Sequence, residues 1–193
     1  RRFKPDNPKI EKYQDGKINI LFVGRLEERK GLLHLVKAFQ VVKSEVENVR
    51  LIIVGSGPNY NQINNFVQKD KIKDVCFEGK VNKEDLPSFY STADIFSSPA
   101  TYGESFGIIL LEAMATGKPI IAGDNSGYKT VITGEEGILL DPTNTNLNAA
   151  QIKKLVLSPT ERSKRGQAGL IKSRSYAWPV IIEKKEQFYL ENI

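Results

Sequence analysis

Cysteine is nearly missing from this chain: Cys76 is the one thiol in 193 residues, so no internal disulfide can form. That excludes a small disulfide-stapled scaffold and fits a reducing compartment, with Cys76 expected to be a core residue of the apolar run around it. Histidine is as scarce. His34 stands alone inside an apolar helical pattern and is read as structural or exposed, and no cysteine-histidine cluster offers a metal site. The chain therefore has no obvious general base. Long hydrophobic runs are absent too. Nothing approaches the ~18 apolar residues of a membrane span, and the basic opening Arg1, Arg2 and Lys4 leads into no stretch of the kind a secretory signal requires. The expectation is a cytoplasmic protein. Repeats, heptads and low-complexity tracts are missing, as are the phosphate-loop motif and the three-glycine dinucleotide fingerprint.

What is present is ordinary for one globular domain that buries its own core: 40% hydrophobic and 26% charged residues, with a formal net charge of +5. The positive balance would suit an anionic partner, but the basic residues are spread along the chain. Groups such as Lys153-Lys154 and Arg162 to Arg165 fall where helices show a solvated face.

Six aliphatic segments recur at regular intervals: Ile18 to Val23, Val49 to Val54, Val75 to Phe77, Ile95 to Ser97, Ile120 to Ala122 and Ile138 to Leu140. Most are continuously apolar, as strands buried on both faces must be. Helical patterns lie between them. Leu32, Leu35, Val36, Phe39 and Val42 share one face, and Phe106, Ile109, Leu110 and Ala113 follow the same spacing. Strand-helix alternation implies right-handed crossovers, hence an α/β fold with a doubly wound, parallel, six-stranded sheet. Residues 1–17, with Pro5, Pro8 and Gly16, read as a linker or irregular lead-in. After Leu140 three helical stretches follow: about Leu147 to Leu157, Pro159 to Ser173 and Pro179 to Leu190. Trp178 is expected to be a packing anchor at the start of the last one.

Ligands of open parallel sheets bind at the carboxyl ends of the strands. The first strand ends in Gly24-Arg25, followed by Arg29, Lys30 and Gly31. Glycine there admits close backbone approach, and fixed cations suit a diphosphate. The second ends in the turn Gly55-Ser56-Gly57-Pro58. The fourth runs through Ser98-Pro99 into Glu104-Ser105-Phe106-Gly107 at a helix start, where amide donors and the helix dipole favour phosphate. Glu112, eight residues after Glu104, lies within the apolar run Ile108 to Ala115. A carboxylate in such a run needs hydrogen-bond donors, and sugar hydroxyls are candidates.

Taken in order, Phe22-Val23-Gly24-Arg25-Leu26 with Lys30-Gly31, Val54-Gly55-Ser56-Gly57-Pro58, Phe77-Glu78-Gly79-Lys80-Val81, Glu104-Ser105-Phe106-Gly107, Glu112-Ala113-Met114-Ala115 and Gly117-Lys118-Pro119 resemble the retaining GT-B glycosyltransferases of family 4, also called group 1. The resemblance runs from about residue 18 to 142. It implies that Arg25 and Lys30 bind the donor diphosphate and stabilise the leaving group, and that Glu104 contacts the transferred sugar. Glu112 would hold the ribose. Ser105, Phe106 and Gly107 would offer amides to the phosphate and sugar. Gly24, Gly55 and Gly57 would line the donor site, and Gly79, Lys80 and Val81 would border the base.

The same resemblance implies no cofactor and no metal, and makes residues 18–193 the donor-binding C-terminal half of a GT-B enzyme. The partners it implies are a nucleotide-diphosphate sugar and an N-terminal acceptor domain, through which the enzyme would touch a membrane peripherally. The fragment alone would bind donor and transfer little. One departure stands out. Many members carry a Gly-Gly pair and a glutamate three residues later where this chain has Ser126-Gly127-Tyr128-Lys129-Thr130-Val131. The variant resembles phosphatidylinositol mannosyltransferases, which leans toward GDP-mannose over a UDP-sugar and toward a lipid or glycan acceptor.

Other classes compete with this reading. The same fold could serve a non-catalytic nucleotide-sugar-binding or interaction domain, because fold alone does not fix function. A sugar-nucleotide epimerase would carry catalytic acids on both domains, and a phosphorylase would need a cofactor lysine arrangement that is not found. Nucleic-acid binding rests on net charge alone, without a recognition motif, and no nucleic-acid partner is expected.

Overall fold

The computed structural model describes residues 2–191; Arg1 of the basic opening and residues 192–193 lie outside it. Fourteen elements follow the expected alternation. They are β1 (Ile18–Val23), α1 (Leu32–Glu45), β2 (Val49–Val54), α2 (Tyr60–Lys69), β3 (Val75–Gly79), α3 (Leu86–Thr92), β4 (Ile95–Ser98), α4 (Ile108–Ala115), β5 (Ile120–Gly123), α5 (Ser126–Lys129), β6 (Gly137–Leu140), α6 (Thr145–Leu157), α7 (Pro159–Ser173) and α8 (Trp178–Glu191).

The six strands form one sheet in the order β3-β2-β1-β4-β5-β6, and every pairing is parallel. Most strand residues are apolar because successive residues alternate between two covered faces, with buried polar residues such as Asn19, Arg50, Ser97 and Ser98 among them. In β1, Ile20 and Phe22 join the core beneath α1, α2 and α6. Leu21 and Val23 join the other, formed with α3, α4 and α5. Strand order reverses between β1 and β4, which places a crevice at their carboxyl ends.

Local signals fix the helix ends. Asn144 and Ser158 cap α6 and α7 by accepting from the amides of Leu147 and Glu161, and Pro159 opens α7 where its missing N–H is harmless. Arg162 donates to the carbonyls of Leu155 and Val156 at 2.7 and 2.8 Å, closing the end of α6. It is a structural cation, and Lys153, Lys164 and Arg165 are ion-paired to Glu45, Glu135 and Glu161.

Three expectations change. The lead-in is irregular, yet it contributes to the core: Tyr13 is buried, Phe3 and Ile10 pack beside it, and the Ile10 amide donates to Thr92 Oγ1 at 2.8 Å. Phe106 lies ahead of α4 rather than on its buried face, and it is exposed, edge-on to Tyr176 at 5.9 Å. Trp178 is not a buried packing anchor; it is 75% exposed at the start of α8. Cys76 packs partly buried against the second core as expected.

Candidate donor-binding crevice

Backbone hydrogen bonds hold the loops that leave β1, β2 and β3 side by side. The Gly24 amide donates to the Val54 carbonyl, the Gly55 amide to Gly79, and the Leu26 amide to Ser56, at 2.7 to 3.0 Å. Gly57 rests against the Leu26 backbone, where any side chain would collide. The loop after β4 is tied to the loop after β1 in the same way, Thr101 donating to the Arg29 carbonyl at 2.9 Å. Gly31 makes that approach possible. It has φ of 68°, and a Cβ there would fall 2.0 Å from the Pro99 carbonyl oxygen.

This stitching brings charges from two loops together. Lys30 Nζ lies 2.5 Å from Glu104 Oε1 and Arg29 Nη1 lies 3.1 Å from the same oxygen. Arg29 also donates to the Gly103 carbonyl at 3.2 Å and to Glu27 Oε2 at 3.0 Å. Glu27 holds Arg25 through its other oxygen at 2.9 Å. Three cations and two carboxylates thus form one chain of charge-assisted contacts across the crevice mouth. Arg25, named from the sequence, is its exposed end, and Glu104 and Lys30 are its partly buried centre. Arg29 is the residue that reaches Glu104 beside Lys30.

Past Glu104 the chain turns into α4 at Gly107, whose φ of 89° is left-handed. A Cβ there would strike the Tyr128 ring at 2.8 Å. Among the described residues, the amides of Ser105, Phe106 and Gly107 take no acceptor within the chain, leaving donors at a helix start. Tyr128, buried beneath them, shares a 2.6 Å hydrogen bond with Ser98 Oγ, and burial pushes its phenol well above the usual range. Asn125 ties this floor down, its side chain donating to Ala100 and accepting from the Tyr128 amide, both at 3.0 Å. The departure from the Gly-Gly pattern therefore has a structural use: Tyr128 supports the turn at Gly107.

Glu112 sits just over one turn into α4 and faces α3. Its Oε2 accepts from the Tyr90 hydroxyl at 2.8 Å, and burial raises its carboxyl above the ordinary glutamate range. The sequence reading missed Tyr90 as it missed Glu27. A buried phenol calls for a hydrogen-bond partner, and that was the available signal. Lys80 and Val81 line a groove of about 400 Å³ with Lys9, Ile10, Asn82, Asp85, Ser88 and Phe89. Gly79 enters by its carbonyl bond to Gly55 alone. Among the described residues no three metal-ligating side chains cluster, and no helix is long and apolar enough to cross a membrane.

The sequence profile of the glycosyl transferases group 1 matches residues 3–171. The chain belongs to that family. Among curated group 1 relatives, the phosphatidyl-myo-inositol mannosyltransferase of Mycobacterium tuberculosis is 33% identical over 177 residues, covering 88% of this chain and 46% of its own length. A GDP-mannose-dependent alpha-(1-6)-phosphatidylinositol monomannoside mannosyltransferase of the same organism is 32% identical over 181 residues, covering 87% and 47%. The chain thus spans less than half the length of these relatives. The Anabaena Alr3699/HepE structure, holding UDP and glucose, superposes with a TM-score of 0.80 at 19% identity, over 92% of this chain and 49% of its own. That likeness is one of fold.

Proposed function

We propose that this chain is the donor-binding half of a retaining family 4 glycosyltransferase, taking a hexose from a nucleotide-diphosphate sugar to a lipid or glycan acceptor. The observation that carries the reading is the pairing of Glu104 with Lys30 and Arg29 at the start of α4, beside free amide donors. A sugar diphosphate presents an anion beside a ring of hydroxyls, and this edge presents cations and amides beside carboxylates. Lys30, Arg25 and the amides of residues 105–107 face the diphosphate. Glu104 accepts from hydroxyls of the transferred sugar, and Glu112 accepts from the ribose. Gly24, Gly55 and Gly57 admit the nucleotide, and Gly79, Lys80 and Val81 border its base.

In the reaction, the bond between the anomeric carbon and the diphosphate oxygen breaks as the acceptor hydroxyl attacks from the same face. The hydroxyl proton passes to the departing phosphate oxygen, and the configuration is kept. Charge develops on that oxygen, and preorganised cations and helix-start amides stabilise it there. No metal ion is needed, so transfer survives a chelator. The donor is GDP-mannose in preference to a UDP-sugar, in keeping with the mannosyltransferase relatives.

The acceptor is held by a second, N-terminal domain, with residues 1–17 as the link to it. Support comes from α8, where Trp178, Ile182, Phe188, Tyr189 and Leu190 are all at least half exposed. Apolar side chains in such number on one helix belong against a partner surface. The enzyme works in the cytoplasm and meets a membrane peripherally through that domain.

Titration calorimetry of the chain with GDP, UDP and ADP, beside Arg25→Ala and Glu112→Ala, tests the reading. One nucleotide binding, and both variants weakening it, is the expected result. Binding that ignores both substitutions would favour an interaction domain on the same fold.

A further inference from the structure

Among the described residues, Tyr90 and Tyr128 are the largest side chains with no exposed surface, and the Tyr90 hydroxyl has no part in the charge network of Glu104. Its ring is fixed on two sides, edge-on to Phe3 at 5.4 Å and tilted against Phe96 at 5.2 Å. The hydroxyl has one proton and two neighbours, Glu112 Oε2 at 2.8 Å and the Ile109 carbonyl at 3.5 Å. The shorter contact takes the proton, since 3.5 Å is beyond the normal range for such a bond. A glutamate carboxyl otherwise rotates over a broad, two-fold potential. Here one oxygen is pinned by a phenol that cannot swing, while Oε1, among the described residues, accepts no hydrogen bond.

Charge on that carboxyl has few other sources of support. Burial raises its proton affinity, the Tyr90 hydroxyl opposes this, and Arg2 of the lead-in opposes it at longer range. Among the described residues, Tyr90 and Arg2 are the titratable or charged groups that act on Glu112 from the elements packed around it. A neutral phenol donor is a selective means of keeping the carboxylate ionised, because it adds no cation that would compete for Oε1.

We propose that Tyr90 is the positioning residue of Glu112, holding Oε2 so that Oε1 is free to accept from the vicinal hydroxyls of a nucleotide ribose. This rests on the ribose assignment above. Tyr90→Phe removes the hydroxyl and keeps the ring between Phe3 and Phe96, and thermal unfolding checks that the fold survives.

Two measurements separate the inference from the reading beneath it. In the first, carbon-13 NMR follows the Glu112 carboxyl through a pH titration without ligand, and Tyr90→Phe should titrate at higher pH than the native chain. An unchanged titration would overturn the inference, whatever Glu112 binds. In the second, GDP and UDP are compared with their 2′,3′-dideoxy forms. The native chain should prefer the ribonucleotide, and Tyr90→Phe should erase about five- to tenfold of that preference, the scale of one hydrogen bond held in place. Dideoxy binding should stay the same. A native chain that binds both forms equally would sink the ribose assignment, and the NMR shift would still show that Tyr90 governs the carboxyl.

Discussion

Glu104 and Glu112 lie eight residues apart on one loop-and-helix unit, yet their surroundings are opposite. Glu104 is paired with two cations at the crevice mouth. Glu112 is half-buried against a neutral phenol, with no ion pair among the described residues. A carboxylate held by cations sits where an incoming anion would claim the same partners, so Glu104 must give up part of Lys30 and Arg29 when a diphosphate arrives. A carboxylate held by a phenol keeps its partner and offers a second oxygen. In the proposed function one site would exchange partners and the other would stay fixed, as suits the roles proposed for them, contact with the transferred sugar and a grip on the ribose.

The sharpest way to break the comparison is Glu104→Gln. Transfer by the complete enzyme should fall by about 100-fold or more, as when one preorganised electrostatic contact is lost. Nucleoside diphosphate affinity, read by calorimetry, should hold or improve because two cations are released. Equal losses in both would mean that the two glutamates are not distinct in kind.

Lys30→Ala should be next in size. It removes the cation proposed to meet the phosphate and leaves Glu104 dependent on Arg29, so diphosphate binding should weaken about tenfold or more. Stability should drop by about 1 kcal/mol, measured by denaturant unfolding, because the pair is only partly buried and screened. Raising salt should weaken the diphosphate contribution of Lys30 and leave the ribonucleotide-over-dideoxy ratio of Glu112 nearly constant.

The smallest effects concern pH, and a third buried charge supplies the contrast. Lys118 donates to the Ser91 carbonyl at 3.0 Å, and burial lowers it to about 8. Between pH 8 and 10 the unfolded chain therefore binds more protons at this lysine than the folded chain does, so stability rises with pH. Glu112 has the reverse sign. Its raised carboxyl makes the folded chain hold the proton longer, so its contribution falls as pH climbs through the acid range. Lys118→Met should flatten the rise above pH 8 in thermal unfolding, and Glu112→Gln should flatten the acid-side fall. Above pH 10 the buried phenols Tyr13, Tyr90 and Tyr128, all raised, oppose the lysine.

Much of this was legible in the sequence. The strands were bounded within a residue or two because both faces of the sheet are covered, and a continuous apolar run can hardly be misplaced. Gly24, Gly31 and Gly55 marked the loops because backbone approaches backbone there, and Gly107 because its left-handed turn packs on the Tyr128 ring. Which cation meets Glu104 was not legible. Arg25 and Arg29 have the same charge, and only the Thr101-to-Arg29 hydrogen bond, a contact between distant loops, brings Arg29 in. Tyr90 was hidden for the same reason, since its partner lies 22 positions away. Trp178 and Phe106 were misread because an apolar residue at a helix end looks the same in sequence whether its own chain covers it or not.

The central claim is that the diphosphate meets the start of α4 between β1 and β4. Nitrogen-15 NMR of the backbone amides, recorded as GDP or UDP is added, tests it most directly. The account predicts that Ser105, Phe106, Gly107 and the loop from Gly24 to Gly31 shift first and furthest. Shifts confined to the groove of Lys9, Asn82 and Ser88, with residues 105–107 unmoved, would contradict it.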